Sequence, residues 1–346
     1  KYINILITAY LAFASVTVHS ANSSGSVDEV KYHANRYCPD SLGADVVSKV
    51  KTKKFFAEAA SEIYKGNYKA ALNILESEGA QNSNKAKDLA GVFYLYGEKG
   101  IEANKGKGIH LLREAAKNKC SRSRYLLASL ALDGSFGVKK DIKLAIKEFK
   151  SLAKSEGLDT RLFHSRYHLG SVKKLIEIYT DNDGDFKAKD HVKVREWATV
   201  AANERDWEGQ IILSRMLIRG QGGGKDLNEA LRILNASLNN KKTKTAYYYI
   251  GVIFNHKKDP AGLRFLISAA KGGHIPSIIL LSKIYQKGGY VPKDINKSFY
   301  YRLKAAEMND VKSMNYLSHL YKNGIGVKKN KTEAIKWKQK YEDSIK

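Results

Sequence analysis

One pattern returns along most of this chain and leaves few folds open to it. A small residue is followed four residues on by an apolar one and then at once by a second small residue. Three further on comes an aromatic or apolar residue, and three beyond that, in most copies, Gly. It reads Ser277-x3-Leu281-Ser282-x2-Tyr285-x2-Gly288, and again Ser313-x3-Leu317-Ser318-x2-Tyr321-x2-Gly324. Earlier copies are Gly209, Leu213, Ser214, Leu217, Gly220; Ser123, Leu127, Ala128, Ala131, Gly134; and Ala86, Ala90, Gly91, Tyr94, Gly97. Two copies lack the Gly: Ser171, Leu175, Ile176, Tyr179 and Ala246, Ile250, Gly251, Phe254. Copies starting at 86, 123, 171, 209, 246, 277 and 313 give a period near 36 residues, with one long step of 48 and one short step of 31. Such self-similarity is the mark of a repeat architecture.

Spacings of 4, 4 and 3 hold these side chains on one face of a helix. The small residues let two helix backbones approach, and Gly suits the left-handed C-cap that ends the first helix. After it comes a short loop and a second apolar pattern. Lys293-Asp294-Ile295 leads to Ala305-Ala306, Lys140-Asp141-Ile142 to Leu152-Ala153, and Lys225-Asp226-Leu227 to Ile233. The Asp sits where it can cap the second helix. Each copy therefore predicts an antiparallel pair, helix A then helix B. A single pair cannot bury its own apolar face, so neighbours must stack.

This motif, with loops such as Gly137-Val138-Lys139-Lys140-Asp141 and Gly326-Val327-Lys328-Lys329-Asn330 and an Ala-Ala pair in helix B, resembles the Sel1-like repeat, a relative of the tetratricopeptide repeat. The resemblance runs over about residues 86–340. It implies an all-α, right-handed superhelical solenoid of about seven helix pairs over 86–346. Residues 51–85, with Tyr64-x-Gly66-Asn67-Tyr68-x-Ala70-Ala71, read as a tetratricopeptide-like pair in front, after an N-terminal segment at 21–50. The step of 48 implies an insertion near Glu156–His168, and the step of 31 a shortened loop near Lys257–Pro260.

The first twenty residues read as a secretory signal peptide: a basic start at Lys1, an apolar run from Ile3 to Val18, and small residues placed for cleavage after Ser20. A buried helix or a retained anchor is the alternative. Export to the periplasm or beyond would let Cys38 and Cys120, the only cysteines, form a disulfide. Two free buried thiols are the other possibility.

The net charge is +25, and the C-terminal residues 241–346 hold 22 Lys and Arg against 7 Asp and Glu. A field of this sign favours an acidic protein or an anionic lipid or envelope surface. Lysine-rich composition explains it equally well. Nucleic acid is the less expected partner, because 47 of the 60 basic residues are Lys, and Arg is the better reader of phosphate geometry.

Reactive constellations are thin. Gly220-Gln221-Gly222-Gly223-Gly224-Lys225-Asp226 has glycines and a lysine, but a helix precedes it and Asp follows the lysine, unlike a phosphate loop. Asp181-Asn182-Asp183-Gly184-Asp185 lacks the Gly and Glu that a calcium loop needs at its sixth and twelfth positions. His164 and His168 stand four apart without the Glu that a zinc protease places after the first His. Some Sel1-like proteins have been linked to penicillin binding or hydrolysis. Ser-x-x-Lys occurs at Ser48, Ser151, Ser171 and Ser268, about as often as chance allows, without Ser-Asp-Asn or Lys-Thr-Gly partners. A β-lactamase-like enzyme is therefore disfavoured, and neither catalytic residue, cofactor nor metal is expected.

In tetratricopeptide-like stacks the A helices line the concave groove, at positions two, six and nine after the leading small residue. The resemblance therefore implies partner binding through Tyr125, Arg215, Tyr248, Asn255, Lys283, Asn315, His319 and Lys322, with Ser129, Ile211 and Gln286 beside them. The expected function is an exported, non-catalytic protein-binding scaffold or adaptor. Exported Sel1-like proteins that resemble this chain neutralise secreted lipase toxins, so a periplasmic immunity protein is a particular form of that expectation.

Overall fold

In the computed structural model, residues 55–345 are described, apart from 56–57, 60, 64, 78–81, 98–99, 155–165, 181–189 and 241–242. The signal-peptide segment, Cys38, Ser48, His164, the Asp181–Asp185 stretch and most of the expected insertion lie outside them. The regular elements are all α-helices: α1 Tyr68–Glu76, α2 Asn84–Tyr96, α3 Lys105–Lys117, α4 Ser121–Asp133, α5 Ile142–Lys154, α6 Arg166–Ile178, α7 His191–Asn203, α8 Trp207–Arg219, α9 Leu227–Asn240, α10 Lys244–His256, α11 Gly262–Lys271, α12 Ile275–Lys287, α13 Ile295–Glu307, α14 Val311–Asn323 and α15 Lys331–Ile345. The fold is an all-α helix-pair solenoid. It divides into two compact units, Lys1–Leu175 and Ile176–Lys346.

In the first unit α2 pairs with α3 and α4 with α5, and α3 packs on α4. In the second, the pairs α8/α9, α10/α11, α12/α13 and α14/α15 each touch the next, with α7 packed on α8. The core runs from pair to pair. Leu266, Ile278, Leu281 and Ala305 bury one seam of the second unit, and Leu317, Leu320, Ala306 and Trp337 the following one. Each large side chain buried there contributes about 1.5–3 kcal/mol.

One hydrogen bond closes the A-to-B loop in all seven copies, whatever the loop's length. The backbone N–H of the residue that precedes or caps helix B donates to the carbonyl eight residues after the leading small residue. The donors and acceptors are Asn104 to Tyr94 (2.8 Å), Asp141 to Ala131 (2.8 Å), Asp190 to Tyr179 (3.5 Å), Asp226 to Leu217 (3.0 Å), Asp259 to Phe254 (3.0 Å), Asp294 to Tyr285 (2.9 Å) and Asn330 to Tyr321 (3.0 Å). This bond occupies a carbonyl that the end of helix A would otherwise leave open. The copies without Gly obey it too. In the 246 copy a five-residue connector suffices, with Lys258 supplying the positive φ of 55° that Gly supplies elsewhere. That is the shortened loop the step of 31 predicts.

The Asp caps are made as expected. Asp141 Oδ1 accepts from the Leu144 N–H at 2.9 Å, Asp294 Oδ1 from Lys297 at 2.8 Å, and Asp226 Oδ1 from Glu229 at 2.9 Å. Gly134 and Gly324 end α4 and α14 with φ of 74° and 70°, in the left-handed region.

The second small residue marks where the paired helices cross. Ser282 Oγ donates to the Ser298 carbonyl at 2.9 Å, Ser318 Oγ to Ala334 at 2.7 Å and Ser214 Oγ to Ala230 at 3.4 Å. The hydroxyl is satisfied by the facing backbone, so no room is left for a longer side chain. At Gly91 a Cβ would come within 2.9 Å of Leu112 Cγ.

Candidate functional site

The eight residues singled out from the sequence fall into two groups. Tyr125 packs inward in the first unit. Its ring meets the Phe149 ring at 5.6 Å and the Tyr167 ring at 5.7 Å. The other seven lie in the second unit. Arg215 is half-buried beside Tyr249, which takes a hydrogen bond from it, and burial pulls the guanidinium below its usual range. Tyr248 lies against Tyr249 (5.0 Å) and His274 (4.8 Å), and burial pushes its hydroxyl up. Asn255 accepts a 2.6 Å hydrogen bond from the Tyr290 hydroxyl on the next pair. These four have structural work to do, tying one pair to its neighbour.

Lys283, Asn315, His319 and Lys322 are exposed, on the consecutive A helices α12 and α14. Asn315 takes a long 3.4 Å contact from Lys338, and His319 rests against the Asn323 amide one turn away. Beneath them runs a bridge that holds the two A helices in register. Gln286 donates to the Tyr316 hydroxyl at 2.8 Å, and the Arg302 guanidinium stacks 4.6 Å from the Tyr316 ring. Arg302 is 7% exposed and donates to Ser313 Oγ at 3.2 Å. Burial lowers its pKa.

Two residues that carry weight escape the sequence pattern. His274 caps α12: its Nδ1 accepts from the Ser277 N–H at 3.3 Å and lies 2.9 Å from Ser277 Oγ. An accepting Nδ1 means a neutral ring with its proton on Nε2. Burial and the nearby Lys244 pull its pKa down to about 4. The signal available was its place three residues before Ser277, where other copies carry Ser83, Asp206, Thr243 and Asp310 as caps. Asp88, two residues after Ala86, is a buried carboxylate that accepts from Ser123 Oγ at 2.6 Å and pairs with Arg122 at 3.2 Å. Burial pushes its pKa up.

The reactive motifs do not assemble. The glycine-rich loop after α8 is a repeat connector: Arg195 Nη1 donates to the Gly224 carbonyl at 2.9 Å and holds the loop onto α7. Ser151 accepts from Arg124 at 2.8 Å, Ser268 donates to the Arg264 carbonyl at 2.9 Å, and Ser171 is fully buried. Among the described residues no group of three His, Cys, Asp or Glu is placed to hold a metal ion. Nor, among them, is any helix long and apolar enough to cross a membrane. Cys120 is fully buried at the N-cap of α4, and its sulfur is disulfide-bonded.

Helix pairs closed on one carbonyl and packed on their neighbours define an α-helical repeat protein. The Sel1 repeat model matches residues 86–120, 121–150, 207–238, 275–310 and 311–340, and the chain belongs to the Sel1-like repeat family. The two copies without the connector Gly, at 171 and 246, are the ones that this model passes over. Two crystal structures are similar in fold. One is a Sel1 repeat protein from Oxalobacter formigenes, 19% identical, with a TM-score of 0.60 over 96% of this chain and 90% of that one. The other is a protective antigen of uropathogenic Escherichia coli strains displaying an SLR fold, 17% identical, with a TM-score of 0.61 over 95% and 79%. No curated protein sequence matches this one. Sel1 repeats typically serve as protein-interaction scaffolds.

Proposed function

We propose that this chain is an exported, non-catalytic scaffold that holds an acidic protein on the A-helix face of its second unit. The observation that carries the reading is the exposed set Lys283, Asn315, His319 and Lys322, at positions two, six and nine of the repeat on α12 and α14, with Lys283 and His319 at the same register, over the Gln286–Tyr316 bridge. Basic side chains on a pre-ordered face steer an acidic partner and lose little entropy on binding it. Residues 241–346 carry three basic residues for each acidic one, which supports the sign of the partner. Neutralisation of a secreted lipase toxin is one form such binding could take. Export itself rests on the first twenty residues.

The test is capture of partners by the mature chain, followed by identification by mass spectrometry. Lys283→Glu with Lys322→Glu, both exposed, should reduce capture at least tenfold and leave the far-UV circular dichroism unchanged. Equal capture by this variant contradicts the reading. The same chain should leave nitrocefin unhydrolysed; turnover lost in a Ser151→Ala, Ser171→Ala or Ser268→Ala variant would favour the enzyme instead.

A further inference from the structure

The A-helix face does not account for three of the four large hydrophobic side chains that the last two helix pairs expose, the fourth being Ile345 at the far end of α15. Tyr300 is 56% exposed, Ile325 37% and Ile335 70%. All three lie at one edge of the second unit, where A-to-B connectors meet the beginnings of B helices. Ile325 is in the connector after α14, Ile335 is the fifth residue of α15, and Tyr300 is the sixth of α13. At a rise of about 1.5 Å per residue, the two helical positions sit within roughly 9 Å of that edge. The two connectors are not remote from each other. Gly326 is packed against the Ile295 carbonyl, where a Cβ would clash, and Phe299 meets the Tyr321 ring at 5.2 Å. The last connector therefore lies against the first turns of α13, bringing Ile325 next to the stretch that carries Tyr300.

The same edge is basic. Lys293, Lys328, Lys329 and Lys331 are exposed there, and among the described residues none enters an ion pair. Its two acids are already engaged: Asp294 pairs with Lys297 at 3.2 Å and Glu333 with Lys336 at 3.1 Å. At the opposite edge of the second unit, where B helices end and A helices begin, Lys271 and Lys312 are accompanied by Glu307 and Asp310. Exposed aliphatic and aromatic side chains ringed by free lysines suit a partner that is anionic outside and apolar a few ångströms beneath. A bilayer with acidic headgroups has that profile. A nucleic-acid duplex meets the lysines but offers nothing to Ile325 and Ile335.

We propose that the A-to-B edge of the last two helix pairs adsorbs to an anionic lipid surface, with Lys293, Lys328 and Lys329 at the headgroups and Tyr300, Ile325 and Ile335 inserted below them. Long lysine stems reach outward while apolar neighbours sink, so both sets act together. This site is separate from the A-helix face and leaves that face free for a protein.

The probe is sedimentation of the full chain with vesicles of phosphatidylcholine alone or containing about one third phosphatidylglycerol. Binding is expected only to the second kind. Each lysine near such a surface strengthens adsorption about fivefold, so Lys293→Glu/Lys328→Glu/Lys329→Glu should weaken it by about a hundredfold or more. Tyr300→Ser/Ile325→Ser/Ile335→Ser should weaken it by at least about tenfold, the loss of one such side chain's insertion, with the salt dependence intact. Lys271→Glu/Lys312→Glu, on the other edge, is the control for net charge and should change it least. Circular dichroism verifies that each variant is folded. Failure to bind anionic vesicles overturns the proposal. So does a serine variant that binds like the parent, which would mean attraction by charge alone, or tighter binding to a DNA duplex than to vesicles. No protein partner enters this assay, so its failure is distinct from failure of the scaffold reading.

Discussion

His274 makes the clearest case for what one side chain does here. Its neutral ring caps α12 and supports Tyr248, and it must stay neutral to accept the Ser277 N–H. The unfolded chain binds this proton near the ordinary His value of about 6.5, whereas the folded chain binds it only near 4. Between those values the unfolded state carries the extra proton, so native stability is full above about pH 6.5 and falls as the pH drops to 4. The midpoint of thermal unfolding should therefore decline over this window. In His274→Asn, which keeps a cap without a titrating ring, the decline should shrink; equal declines in the two proteins count against the role. Asp88 is the second case. Asp88→Ala would leave the Arg122 guanidinium and the Ser123 hydroxyl facing a void, at a cost of about 3–5 kcal/mol in chemical denaturation. A loss under 1 kcal/mol would mean that water replaces the carboxylate.

At the scale of the element, the helix pair is defined by a crossing point and a closing bond. Ser282 at the crossing gives its hydroxyl to the Ser298 carbonyl, so Ser282→Leu would force α12 and α13 apart and should cost at least about 1–3 kcal/mol. Ser282→Ala should cost about 1 kcal/mol or less, since only a hydrogen bond is lost. Denaturant midpoints for the two variants check the order. Much of this was legible in the sequence. The small residues, the Gly ends and the Asp caps state a pairing rule that depends on local geometry alone, and they fall where expected. The closing bond was not legible, because its partners are backbone groups and any residue type can supply them. That is why the copies at 171 and 246 keep the closing bond without the Gly. His274 was missed because imidazole seldom serves as a cap, and Asp88 because a carboxylate at a solvent-facing register position gives no sign that the next pair covers it.

Across the whole molecule, stacking converts a register position into a surface, but it also consumes part of that surface. Tyr125, Arg215, Tyr248 and Asn255 stand at groove positions, yet each is packed or hydrogen-bonded within its own unit. The periodicity identifies which face such residues share. It does not reveal which of them the adjoining pair covers, since that depends on long-range partners such as Tyr290 and Tyr167. The disulfide also belongs to this scale. Cys120 is bonded, and Cys38 is the chain's other cysteine. Peptide mapping without reductant should yield a Cys38–Cys120 linked pair, and Cys38→Ser should lower stability by about 2–5 kcal/mol. Linked dimers in place of an internal link would contradict that assignment.

The central claim is that recognition occurs on exposed A-helix positions of the second unit. Hydrogen–deuterium exchange on the full chain, with and without its captured partner, reads this directly. Added protection is predicted in peptides spanning Ile275–Lys287 and Val311–Asn323, with α9 and α11 unchanged. Protection confined to the B helices, or none at all in a saturated complex, would contradict it.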